Sequence, residues 1–149
     1  MTILGFDQSS TCSGWAVFQD NEYRISGVLK LQGEPTERLL DMADAICERI
    51  DFIKPDKVAI EDIFDNQNTH TLVVLARLQG IILSHCHKKG IPLTIIPSKT
   101  WRKVVGINEK KRKDAKAAAI KLVEKLYDVQ VSADEAEAVL LTKASETLF

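Results

Sequence analysis

Cysteine is scarce and odd in number, with thiols only at Cys12, Cys47 and Cys86. Three cysteines so widely spaced in apolar surroundings exclude a disulfide framework and read as buried, reduced side chains of an intracellular protein. No CxxC pair exists, and in His85-Cys86-His87 neighbouring residues on a helix point to different faces, which argues against zinc. No apolar run approaches the roughly eighteen residues that a membrane span needs, and Met1 leads straight into a strand-like segment without a basic leader. A soluble, cytoplasmic protein with no membrane partner is expected. Repeats and low-complexity linkers are missing as well, so residues 1–149, 45% of them hydrophobic, are expected to form a single domain.

The formal net charge of −1 hides an asymmetry. From Lys99 to Lys125, ten basic side chains face three acidic ones, so that this stretch carries +7 and the remainder −8. Arg102, Lys103, Lys110, Lys111, Arg112 and Lys113 form its dense part. One basic face is expected, as in proteins that hold a nucleic-acid backbone, with a solvated lysine-rich helix as the plain alternative.

Along the chain, Ile3-Leu4-Gly5-Phe6 is an apolar strand that ends in Asp7. A polar turn follows, and the chain returns past Gly14, read here as the residue that lets the second strand turn back tightly. Glu22 to Leu31 is a third strand after Asp20-Asn21. Thr36 is placed to cap a helix whose apolar residues recur from Leu39 to Ile53. Lys57-Val58-Ala59-Ile60 is a short strand that again ends in a carboxylate, Glu61. After the polar stretch from Asp65 to Asn68, a helix is expected to run to about Lys88 with apolar residues on more than one face, which predicts cover by the sheet on one side and by a partner subunit on the other. Pro92 to Ile96 reads as a strand, Ser98 as the cap of a short helix containing Trp101, and the basic segment as the approach to a further helix. Ser132 is a good cap for the last helix, which opens Ala133-Asp134-Glu135-Ala136-Glu137.

Asp134 and Glu137 are three residues apart and therefore neighbours on one helical face, while Glu135 points elsewhere. Acidic residues in a first turn also complement the helix dipole, but alanines on both sides predict close packing, where paired carboxylates are costly without a cation. Together with Asp7 and Glu61 at two strand ends, four carboxylates can meet at one sheet edge. Such an all-oxygen set suits magnesium. Two ions held there can activate water and stabilise a leaving oxygen in phosphodiester cleavage.

Ile3 to Asp7 with Ser10 and Gly14, Val58 to Phe64, Ala76-Arg77-Leu78-Gln79-Gly80, Val104-Val105-Gly106 and Ala133 to Ala138 occur in an order and spacing that resembles RuvC-type Holliday-junction resolvases, the shorter phage-encoded members in particular. The resemblance covers essentially the whole chain. It implies a ribonuclease H-like α/β fold: a five-stranded mixed sheet, three antiparallel strands first and two parallel ones after, flanked by helices. It also implies a homodimer that nicks four-way DNA junctions with two Mg²⁺ ions per site, Mn²⁺ being a possible substitute, and the host-cell cytoplasm as setting if the chain is phage-encoded. The family's metal ligands fall on Asp7, Glu61, Asp134 and Glu137, the last being more often aspartate in the family. Its DNA-contacting lysines fall near Arg102 or Lys103 and near Arg112 or Lys113, with Lys110 and Lys111 between. Phe64 matches an aromatic that stacks at the junction centre, where base stacking contributes on the order of 1–3 kcal/mol. Ser9, Ser10 and Thr11 are candidates for touching the scissile backbone.

Two other functions fit parts of the pattern. Actin-like and sugar-kinase ATPases also begin with a strand-end aspartate before a small polar loop, although 149 residues supply only one of their two lobes. A junction-binding module that has lost its chemistry would keep the fold. Neither the cleavage sequence nor a helicase partner is readable from the residues.

Overall fold

The structure is a computed structural model and describes residues 1–63 and 68–148. Its first thirty residues form three antiparallel strands, β1 (Thr2–Asp7), β2 (Cys12–Gln19) and β3 (Glu22–Lys30). Asp20 and Asn21 reverse the chain between β2 and β3, both at positive φ (52° and 67°), a conformation that short polar side chains tolerate in a two-residue hairpin.

Helix α1 (Pro35–Ile53) starts one residue before the expected cap at Thr36. Proline at the first helical position gives up an N–H that has no partner there anyway, and the Glu34 side chain accepts from the Glu37 backbone N–H instead. β4 (Lys57–Glu61), α2 (Thr69–Lys89), β5 (Leu93–Ile96), α3 (Ser98–Val105), α4 (Arg112–Tyr127) and α5 (Ala133–Leu148) follow. Asn68 caps α2, its side chain accepting from Thr71 N at 2.8 Å. Ser98 is the first helical residue of α3 rather than its cap, since Pro97 occupies the cap position. Ser132 does cap α5, accepting from the Glu135 N–H at 3.4 Å.

The sheet order is β3-β2-β1-β4-β5, with β1 antiparallel to β2 and parallel to β4, and β4 parallel to β5. Because side chains alternate across a strand, each strand supplies two cores. Leu4, Phe6, Trp15, Val17, Val58 and Ile60 face α1 and α2, where they meet Leu39, Met42, Ile46, Leu78 and Ile82. The intervening positions, Ala16, Phe18 and Ala59, face α3, α4 and α5. On that second face the residues in the middle of the sheet are small, and α5 sinks into the space they leave. Ala136 to Leu141 of α5 are buried without interruption.

Within the single chain α2 buries Leu78, Ile82 and Cys86 in the core beneath it, while Val73 and Leu83 are exposed, so the side expected to meet a partner subunit is open here. One expectation needs correction: the thiols are not uniformly buried, since Cys86 is, while Cys12 and Cys47 are half-buried. His85 is paired with Asp51 at 2.8 Å and His87 is exposed, so the three adjacent residues do point apart.

Candidate metal centre

Strand parity builds the site. Asp7 continues the positions of Ile3 and Gly5 on β1, and Glu61 continues Ala59 on β4, so both carboxylates leave the sheet on the α5 side. Phe6 lies opposite Ile60 in the parallel pair, which brings Asp7 and Glu61, one step further, to adjacent strand ends. From above, α5 lowers Glu137 onto them. Carboxylate oxygens of Asp7, Glu61 and Glu137 all lie within 4.8 Å of one another. Asp134 stands beside this group rather than in it: it interacts with the Cys12 thiol, and its charge adds to those pressing on Asp7.

Glycines set how close α5 comes. A Cβ on Gly14 would overlap the Asp134 carbonyl oxygen, and one on Gly5 would overlap Thr142 Oγ1. Gly14 pairs with Asp7 inside the β1–β2 ladder, so the expected tight return of the chain is not its role. It is the bare patch on which the first turn of α5 rests.

Burial, and then the charges of Glu61 and Glu137, push the Asp7 carboxyl well above its ordinary pKa. Glu137 is raised in the same way, by burial and by Glu61, while Arg102, Lys116 and Arg112 pull it back down. Such carboxylates are acids that the fold keeps together at a cost, and an added positive charge relieves it. The donor set therefore fits a hard divalent cation: all the ligands are carboxylate oxygens, close together and short of positive charge.

Three further side chains hold the cluster from below and beside it. The Trp101 indole, fully buried, donates to Glu61 Oε1 at 3.0 Å. Gln8 Nε2 donates to the Glu61 backbone oxygen at 2.7 Å, and Arg102 Nη2 donates to Glu137 Oε2 at 3.3 Å. Gln8 and Trp101 are not among the residues that the sequence marks for the site, and Arg102 is marked there for DNA instead. No local pattern singles them out, because their partners lie 53, 40 and 35 residues away in the chain.

The turn after Asp7 is also partly committed. Ser9 Oγ donates to the Cys12 carbonyl at 2.7 Å and Ser13 Oγ donates to the Ser9 carbonyl at 2.9 Å, leaving Ser10 half-buried and Thr11 exposed at the tip. Lys103, Lys110, Lys111, Arg112 and Lys113 are exposed on α3, the following loop and the start of α4. Phe64 lies outside the described residues.

Residues 3–143 match the family "Crossover junction endodeoxyribonuclease RuvC". The chain belongs to the RuvC family. The RuvC of Paenarthrobacter aurescens is 30% identical over 149 aligned residues, which cover 95% of this chain and 78% of that protein. The RuvC of Nitratidesulfovibrio vulgaris is 28% identical over 102, covering 62% of this chain and 59% of that protein, so the match spans somewhat over half of the latter's length. Thermus thermophilus RuvC in complex with a Holliday junction substrate superposes with a TM-score of 0.76 over 97% of this chain and 92% of its own, at 16% identity. At that identity the likeness concerns the fold, which is the ribonuclease H-like one that the motif resemblance implies. Membership of the RuvC family also sets aside the nucleotide-binding lobe as a reading of the opening strand.

Proposed function

We propose that this chain is a metal-dependent endonuclease, a single nuclease domain that resolves four-way DNA junctions and related branched DNA. One observation carries the reading: in a RuvC-family chain, three buried or half-buried carboxylates from three separate elements converge within 4.8 Å, with an exposed basic stretch following on α3 and α4. Structural acids do not need such a meeting. A site for phosphodiester hydrolysis does.

Asp7, Glu61, Asp134 and Glu137 are the residues that would hold Mg²⁺, or Mn²⁺ in its place. A pair of such ions held there would supply Lewis acidity at the scissile phosphate and lower the pKa of an attacking water. The protein's own part is positioning. Asp7 and Glu61 sit on the ends of buried strands whose direction cannot drift, and the Trp101 N–H fixes one oxygen of Glu61 while leaving the other to act. Lys103, Lys110, Lys111, Arg112 and Lys113 hold the phosphate backbone and bring the strand to the acids. Ser10, in the turn between β1 and β2, is the proposed contact to the same strand, and Phe64 the proposed ring for stacking on an opened base.

Resolution requires two nicks, and the fold supports a homodimer as the agent. On the helices packed opposite α5, α2 leaves Val73 and Leu83 exposed and α1 leaves Leu40 exposed. A second copy covering this side would set two active sites on one junction. Among the described residues no helix is long and apolar enough to cross a membrane, and the proposed setting is the cytoplasm.

A panel of end-labelled linear, flap, three-way and four-way DNAs, incubated with Mg²⁺ or Mn²⁺, tests the proposal. Paired symmetric nicks near the branch point of the four-way substrate are expected. Cleavage of linear duplex as fast as of junctions, or no cleavage of any branched DNA, would sink it.

A further inference from the structure

Helix α3 delivers two consecutive side chains to the carboxylates, and they differ in kind. Trp101 is fully buried and its N–H points at Glu61, so it can do nothing but hold. Arg102 is partly open to solvent: its side chain is 23% exposed, against 6% for Glu137, the carboxylate it contacts at 3.3 Å. Its guanidinium also lies over the Trp101 ring, 5.2 Å from the centroid. A buried carboxylate pressed by Glu61 needs positive charge, and the guanidinium provides it from within the fold. The same carboxylate oxygen cannot be given fully to that guanidinium and to a divalent cation. Because arginine does not lose its proton, its guanidinium keeps a full positive charge that a divalent cation arriving at the same carboxylate has to displace.

We infer that Arg102 is an exchangeable counter-charge of the carboxylate cluster: it holds Glu137 while no divalent cation is bound and gives it up when one binds. This rests on the cluster being a metal centre. Arg102 is thus a positioning residue with two partners. In the metal-free protein it keeps Glu137 from repelling Glu61 and Asp7, so that α5 stays seated on the sheet. Released, it presents a fork of donors on the side where Arg112 and Lys116 also act on Glu137, and a phosphodiester oxygen pair is the ligand that such a fork matches. Cation binding at the carboxylates would in this way turn a structural arginine into a DNA-facing one.

The test needs neither DNA nor cleavage. Mn²⁺ is titrated calorimetrically into the wild type, Arg102→Ala, Arg102→Gln and Arg102→Lys, with Tm measured in EDTA alongside. Both neutral variants are expected to bind Mn²⁺ about tenfold more tightly, within the usual range for coupled sites, and to melt earlier in EDTA. Arg102→Lys, which keeps the charge, is expected to stay near the wild type. Neutral variants that bind no more tightly than a wild type which itself binds Mn²⁺ would overturn the inference and leave the metal centre standing. A wild type that binds no Mn²⁺ would overturn both. If the neutral variants fail to fold, the wild type decides alone. The Arg102 Nη–Hη resonances should lose their ion-paired shift as Mg²⁺ saturates the protein, and resonances that do not move contradict the exchange.

Discussion

The backbone carbonyl of Asp134 occupies the place where a side chain on Gly14 would begin, so that a single Cβ there would overlap it. Gly14 also pairs across the ladder with Asp7. One missing methyl group therefore sets the height of α5 above the strand that carries the first carboxylate, and with it the distance between acids that are more than a hundred residues apart in the chain.

Replacing Gly14 by alanine should consequently act on the chemistry before it acts on the fold. The obstacle is backbone, which cannot swing aside, so α5 must rise, at a cost of about 1–3 kcal/mol typical of overpacked cores. Loss of most of the Mn²⁺ affinity with a folded circular dichroism spectrum is expected. Wild-type metal affinity in Gly14→Ala would show that α5 does not need this contact.

Asp7 predicts a pH dependence. Its folded-state pKa is raised, by burial and then by Glu61 and Glu137, so the folded protein holds that proton more tightly than the unfolded chain does. The stability it contributes is complete below the ordinary carboxylate range and is lost as pH rises through the raised value. In EDTA, Asp7→Asn should thus gain Tm over the wild type, and the gain should grow as pH rises above the ordinary carboxylate range, levelling once the raised value has been passed. A difference that does not change with pH, or a variant that melts earlier than the wild type at neutral pH, would contradict the strained carboxylate cluster.

Trp101→Phe keeps nearly all of the buried ring and removes only the indole N–H from Glu61. Glu61 is only half-buried, so losing this donor costs it at most about 1–3 kcal/mol, but it also loses what fixes its orientation. Cleavage should fall in kcat more than in KM. Unchanged kcat would demote Trp101 to packing.

Much of this centre is legible in the sequence, for a physical reason. Asp7 and Glu61 each end an apolar run, and strands within a sheet bring such ends together. Asp134 and Glu137 pair on helical periodicity alone, although only Glu137 enters the tight group, since that depends on how α5 is rotated and seated. The contacts of Gln8, Trp101 and Arg102 are not legible: each depends on tertiary placement of an element whose own periodicity concerns its core face. The place of Gly14 is hidden for the same reason, because a glycine near a turn looks local until the helix resting on it is seen. Helix α2, apolar on more sides than the fold covers, announces an unmet surface without showing what meets it.

The exposed basic stretch makes a prediction about salt. Neutralising Lys110, Lys111, Arg112 and Lys113 together should weaken binding to any DNA shape and reduce the slope of log K against log salt by about 3–4, close to one for each phosphate left without its cation. An unchanged slope would move the DNA to another face. Melting behaviour should stay near the wild type, since all four side chains are exposed.

The most direct measurement compares wild type and Asp7→Asn on one labelled four-way junction, scoring binding by gel shift and cleavage with Mg²⁺ on the same samples. Near-normal binding with cleavage reduced by several orders of magnitude is the predicted result. Cleavage by Asp7→Asn at close to the wild-type rate would contradict the assignment of chemistry to this carboxylate cluster.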